Sequence, residues 1–111
     1  MNNLAWSDFE KIDMRTGTII SAEDFVGAKK PAIILHIDFG PLGIKKSSAQ
    51  ITMRYTPSTL VGRKVIAVVN FPPKQIGPIM SECLVLGAID GRGDVALLSS
   101  EESVPNGWRI S

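Results

Sequence analysis

The sequence predicts an all-β domain, a small barrel built around five principal strands, and three observations carry that prediction. β-branched and apolar runs recur between turn residues from residue 13 to residue 99, with spacing typical of strands. Helix-start chemistry is confined to two short stretches, one near the N-terminus and one in mid-chain. A chain of 111 residues with 44% hydrophobic content fills one core, whereas two domains would leave each half without one.

Taken in order, the first element is a short helix that Ser7 or Asp8 is placed to cap, with Asp8 and Glu10 in its first turn. It ends before an extended segment beginning at Asp13. The runs 13–23, 32–39, 44–53, 64–71, 80–89 and 95–99 then read as strands. Between the third and fourth, Thr56-Pro57-Ser58-Thr59-Leu60 is expected to form a short helix, since Thr56 can cap it and proline fits the first helical position. Five principal strands with one short helix between the third and fourth is the element order of an OB-fold, a partly open five-stranded Greek-key barrel.

The second run alternates, with Ile33, Leu35, Ile37 and Phe39 on one face and His36, Asp38 and Gly40 on the other, so one face turns inward. Val65-Ile66-Ala67-Val68-Val69 and Leu84-Val85-Leu86 are apolar on both faces, which requires that their outer side be covered by the terminal segments or by a second subunit. Gly40-Pro41-Leu42-Gly43 reads as a hairpin turn. Gly91-Arg92-Gly93-Asp94 reads as a hairpin connection on its glycine content, not as an adhesion signal.

Several function classes are excluded. The one cysteine, Cys83, lies in an apolar run without a flanking cation to activate it, and with the single His36 it cannot assemble a zinc site. His36 and Asp38 share a strand face at i and i+2, but no nucleophile stands beside them. Neither standard glycine-rich phosphate loop occurs, so the chain is read as a non-enzyme without cofactor or metal. The N-terminal residues have neither a basic stretch nor an apolar one, so no signal peptide is expected, and the default location is cytoplasmic without membrane insertion.

The net charge of +1 conceals a segregation. Residues 29–74 hold eight basic side chains against Asp38 alone, a net +7, while the remainder holds four basic and ten acidic ones, a net −6. Such asymmetry focuses positive potential and steers a polyanion. Within the basic half, the third run places Lys46, Ser48, Gln50, Thr52 and Arg54 on one face, a mixture of cations, hydroxyls and an amide that suits phosphate oxygens and ribose hydroxyls. Proteins that hold generic single strands stack bases on several exposed rings. This chain has seven aromatic residues and none in the stripe, so a structured RNA is the better partner.

The residues also carry a resemblance. Asp13-Met14-Arg15-Thr16-Gly17-Thr18-Ile19 resembles the opening strand of the tRNA-binding domain appended to many methionyl-tRNA synthetases. Ala28-Lys29-Lys30-Pro31-Ala32, Ile37-Asp38-Phe39-Gly40, Gly43-Ile44-Lys45-Lys46-Ser47-Ser48-Ala49-Gln50-Ile51-Thr52, Val68-Val69-Asn70-Phe71-Pro72-Pro73-Lys74, Ser81-Glu82-Cys83-Leu84-Val85-Leu86-Gly87 and Val104-Pro105-Asn106-Gly107 are together similar to the CsaA family, its free-standing relatives. The Ser-Ser-Ala-Gln-Ile-Thr segment is the most specific part.

The resemblance implies an OB-fold homodimer that binds tRNA and acts as a secretion-related chaperone for unfolded preproteins. The competing reading is a module that assists tRNA synthetases or tRNA folding without chaperoning. By family analogy, Lys29, Lys30, Ser47, Ser48, Gln50, Asn70, Lys74, Ser81 and Glu82 fall near the binding surface, to which the charge pattern adds Lys45, Lys46 and Arg54. Two departures stand out. Lys74-Gln75 occupies a loop in which relatives commonly carry two basic residues, which removes one phosphate contact, and Lys29-Lys30-Pro31 replaces the acidic, leucine-containing segment of the synthetase-appended form.

Overall fold

The computed structural model describes residues 2–111. In chain order, helix α1 (Trp6–Glu10) leads into β1 (Met14–Asp24) and β2 (Ile33–Asp38), and a 3-10 turn (Gly40–Leu42) connects to β3 (Ile44–Ala49). Helix α2 (Pro57–Leu60) precedes β4 (Lys64–Val68). The short strands β5 (Lys74–Ile76), β6 (Ile79–Ser81), β7 (Leu84–Val85), β8 (Gly87–Ile89) and β9 (Val95–Leu97) complete the molecule.

β1 is the axis of the fold, because its eleven residues serve two neighbours. Residues Met14–Thr18 pair antiparallel with β4, and Thr18–Asp24 pair with β2. A register shift between Ile19 and Ser21 marks a bulge that bends the strand from one partner to the other. β3 joins β2, and β7 joins β4, giving the sheet order β3-β2-β1-β4-β7 of an OB barrel. Hairpins β5-β6 and β8-β9 are separate two-stranded ribbons.

The alternation expected in β2 is present: Ile33, Leu35, Ile37 and Phe39 are fully buried, while His36 and Asp38 lie on the outer side. Ile19, Leu60, Val65 and Ala67 complete the fully buried apolar centre, so α2 contributes its single inward residue as a plug. α2 forms where the Thr56-Pro57 pair predicts it, and the backbone N–H of Thr56 donates to Thr59 Oγ1 at 3.2 Å. α1 begins earlier than expected. Its cap position is Ala5, and Asp8 serves from inside the helix, its carboxylate accepting the Ala5 N–H at 3.2 Å.

Three strand boundaries differ from the sequence expectation. The run 44–53 leaves the sheet after Ala49, and residues 52–54 form a turn. The run 64–71 ends at Val68, three residues before Phe71 and its two following prolines. The run 80–89 is broken into β6, β7 and β8 because successive pieces serve different partners: β7 pairs with β4, and β8 turns away to pair with β9. Gly87 permits that crossing, since a Cβ there would stand 2.5 Å from Val95 Cγ1. β5 has no counterpart in the expected runs.

The C-terminal segment lies along the free edge of the first half of β1. Gly107 N–H donates to Thr16 O at 2.7 Å, Ile110 N–H to Met14 O at 2.9 Å, and Thr16 N–H to Trp108 O at 3.0 Å. The Arg15 guanidinium grips the Gly107 carbonyl at 3.0 Å and Asp13 Oδ1 at 2.6 Å, which holds the Asp13 carboxyl below its ordinary value. Gly107 adopts a positive φ of 92°, and a Cβ on it would sit 2.5 Å from the Phe39 carbonyl, so only glycine lets the tail approach this closely. Cover from the termini therefore reaches β1, whereas Leu84 in β7 stays half-exposed.

Cys83 is buried, and its thiol is pushed up to about 12, by burial first and by the neighbouring Glu82 second. The native protein is thus expected to be inert to thiol-specific chromogenic disulfides at about pH 8 and to react fully once unfolded in denaturant. Rapid reaction of the native form would contradict this burial.

Candidate nucleic-acid interface

The barrel seam is where the candidate residues gather. β3 is the edge strand of the sheet order, and side chains rather than a regular ladder close it against the segment leading into β7. The Lys46 N–H donates to Glu82 Oε1 at 2.9 Å, and the Glu82 N–H returns to the Lys46 carbonyl at 2.8 Å. Two residues on, the Ser48 N–H donates to Ser81 Oγ at 3.1 Å. Between them, the Ser47 hydroxyl donates to the Cys83 carbonyl at 3.0 Å. Ser81 and Glu82 thereby satisfy an exposed strand edge that would otherwise present unpaired amides.

This geometry sorts the expected contact residues. Ser47 faces inward, is 1% exposed and has its hydroxyl committed to the seam, so the expectation that it meets RNA is corrected: alternation along β3 turns it into the barrel. Lys46, Ser48 and Gln50 point outward, but the five-residue stripe stops there, because Thr52 and Arg54 belong to the turn after β3. Arg54 instead forms a two-pronged pair with Asp94 of the β8-β9 connection, at 2.9 and 2.7 Å. That pair raises the guanidinium's affinity for its proton and lowers the Asp94 carboxyl, and it fastens the turn to the hairpin. Asn70 is also engaged: its amide donates to Lys11 O at 2.8 Å and accepts the Asp13 N–H at 3.0 Å, tying α1 to the end of β4.

Ser48, Gln50, Lys74, Ser81 and Glu82 do come together, around a groove of about 370 Å³ between β3 and the β5-β6 hairpin. Its apolar wall is made by Phe71, Pro72, Ile76 and Leu84. Phe71 is 56% exposed and is the functional candidate that sequence reasoning missed. The signal for it was available: the Pro72-Pro73 pair directly after it ends the strand and strands the ring at the surface.

A second groove of about 480 Å³ continues from Ser48, Gln50 and Leu84 between residues 47–51 and β7-β8. A third, of about 380 Å³, joins Gln50 to Lys30, Thr52 and Met53. Gln50 thus stands where three adjoining grooves meet, between Lys30 on the β1-β2 loop and Lys74 on β5. Lys29, Lys30 and Lys74 are exposed, and Lys45 and Lys46 partly so. Gln75 turns onto its own hairpin, its amide donating to the Gly77 carbonyl.

His36 and Asp38, which share a strand face, are each used locally. His36 Nδ1 shares a hydrogen bond with Ser21 Oγ at 3.0 Å, and Asp38 accepts the Gly40 N–H at 2.8 Å. Among the described residues no cluster of three metal-ligating side chains occurs, and no helix is long and apolar enough to cross a membrane.

A family model described as "Putative tRNA binding domain" matches residues 14–109, from the first residue of β1 to the C-terminal segment that pairs with it. The chain belongs to the tRNA-binding domain family. Within it, the chain is 51% identical to the chaperone CsaA of Bacillus anthracis, covering 99% of this chain and 100% of that one with a TM-score of 0.94. The CsaA chaperone protein of Picrophilus torridus is 49% identical over 98% of this chain and 100% of its own, at a TM-score of 0.89. The methionine–tRNA ligase of Bdellovibrio bacteriovorus is 37% identical over 107 residues, which are 96% of this chain but 15% of that enzyme. The tRNA-binding domain thus spans a small fraction of the curated ligases that it matches, and the whole length of the CsaA proteins.

Proposed function

We propose that this protein binds folded RNA, tRNA foremost, at the outer face of β3 and its adjoining grooves, as a cytoplasmic homodimer, and that it also acts as a chaperone holding unfolded preproteins for export. One observation carries the RNA reading. Lys29, Lys30, Lys45, Lys46 and Lys74 enter none of the ion pairs among the described residues, whereas every arginine near an acidic side chain is paired or locally bonded. Unpaired lysines with hydroxyl and amide groups between them are free to displace counterions from phosphate, which is the dominant source of affinity for nucleic acids.

The chaperone reading is supported by the likeness to proteins named CsaA chaperones. The dimer reading is supported by Leu4, Trp6 and Trp108. These residues are 78%, 86% and 59% exposed on terminal segments that meet where Arg109 donates to the Glu10 carbonyl at 2.8 Å. Large exposed apolar side chains of this kind favour association. A second reading, an RNA-binding module that assists synthetases or tRNA folding without chaperoning, is favoured by the match to methionine–tRNA ligases.

A gel-shift series with a tRNA transcript at rising salt tests the first activity. Binding is expected to fall linearly on log–log axes, by about 0.7–0.9 per phosphate contacted. Absence of binding at low salt would refute it. Aggregation of a denatured client, followed at a salt concentration that abolishes RNA binding, separates the two readings: suppression there supports the chaperone, and its loss supports the module. Light scattering is expected to give twice the 12.0 kDa chain mass, and a monomer mass would remove the dimer.

A further inference from the structure

We propose that the groove between β3 and the β5-β6 hairpin accepts one unstacked nucleotide of the bound RNA, with its base on the ring of Phe71, its base edge against Gln50 and Glu82, and its phosphate at Lys74. The inference rests on the RNA-binding reading above and gives that surface a specific ligand.

Three walls of different chemistry line this groove, and a nucleotide has three parts of matching chemistry. The apolar wall presents Phe71, 56% exposed, and Leu84, 50% exposed, where burial would be the ordinary state of such side chains. Every base has a π-face that stacks on an aromatic ring whatever its identity. The polar wall presents Gln50 and Glu82. The Glu82 carboxylate is anchored through Oε1, which accepts the Lys46 N–H at 2.9 Å. A fixed carboxylate is acceptor-only, so it repels phosphate and favours a base edge carrying an amino group, while the Gln50 amide both donates and accepts. Lys74 supplies the cation, and it has no acidic partner among the described residues.

Size points the same way. The groove's own volume of about 370 Å³ lies at the small end of the roughly 300–1,000 Å³ typical of small-ligand sites, which is room for one nucleotide. One exposed ring is too few for a single-strand track, but it is what a folded RNA needs where a loop base is turned outward. An apolar peptide side chain would satisfy Phe71 and Leu84, but it would cover Glu82 and Lys74 without offering each a complementary group, which costs free energy.

The experiment compares the wild-type protein with Phe71→Leu, Phe71→Trp and Lys74→Gln, using a tRNA transcript as the probe and recording affinity across a salt series. Phe71 and Lys74 are exposed, so the variants are expected to melt as the wild type does. Phe71→Leu keeps apolar bulk without a π-face and is expected to weaken binding about tenfold with an unchanged salt slope. Phe71→Trp is expected to retain wild-type affinity, and Lys74→Gln to lower the slope by about 0.7–0.9. Wild-type-like binding by Phe71→Leu would overturn the nucleotide site while leaving the RNA-binding surface intact. Failure of the wild type itself to bind tRNA would overturn the RNA reading and the site with it. If Phe71→Leu impairs only the suppression of client aggregation, the groove belongs to polypeptide and the proposal falls.

Discussion

Changing Lys45 and Lys46 together to glutamate is expected to lower tRNA affinity by on the order of a hundredfold at low salt and to flatten its salt dependence by up to about 1.4–1.8 on log–log axes. Both side chains are partly exposed on β3, at the centre of the +7 half of the chain. The change removes two cations and adds two anions beside Glu82. The hydrogen bonds of Lys46 to the seam use its backbone N–H and carbonyl, so the substitution leaves them in place. The comparison variant, glutamine at both positions, is neutral and is expected to lose less affinity than the glutamate pair. Gel shifts across a salt series measure both quantities, with thermal melts as the control for folding. Unchanged binding by the glutamate pair would mean that RNA, if bound, sits elsewhere.

The second large effect concerns stability. Phe39→Ala is expected to cost about 3–5 kcal/mol, because a fully buried ring leaves a cavity that the surrounding backbone cannot fill. Three segments meet at this side chain. It closes the inward row of β2, its backbone N–H donates to Gly43 O at 2.9 Å across the turn, and its ring stands so close to β1 that a Cβ on Gly17 would lie 2.9 Å from it. For a domain of this size the midpoint is expected to drop by roughly 15–25 °C. Urea titration or calorimetry reads the effect, and a loss below about 1 kcal/mol would show that the turn and tail collapse into the space.

Much of the barrel was legible because its signals are local. The period-2 pattern of Ile33, Leu35, Ile37 and Phe39 needs one buried face and nothing more, and Thr56-Pro57 carries its own helix-start chemistry. The break of 80–89 into three strands was not legible, because it depends on which partner each piece meets: Leu84 and Val85 meet β4, and Gly87 to Ile89 meet β9. β5 escaped for a similar reason, since Gln75, Gly77 and Pro78 read as loop and only the closing of Lys74 on Ser81 makes a ribbon with β6.

At the interface, strand periodicity correctly set Lys46, Ser48 and Gln50 outward, but it overran the end of β3 and credited the surface with Arg54, which Asp94 holds. Family likeness, not periodicity, singled out Ser81 and Glu82. Their position at the seam gives them a structural task whatever else they touch. Phe71 was counted as the last residue of an apolar strand although Pro72 and Pro73 follow it; the sheet ends at Val68, and the ring stands beside the groove.

The contact of Arg109 with the Glu10 carbonyl and the lacing of residues 107–110 onto β1 bring the two extremities of the described chain to one place on the molecule. None of the residues lining the Phe71 groove takes part in that junction. Such a layout makes the barrel portable. A host polypeptide spliced on at either end, or a short linker joining the ends with new ones opened at an exposed turn, would leave the Phe71 groove untouched.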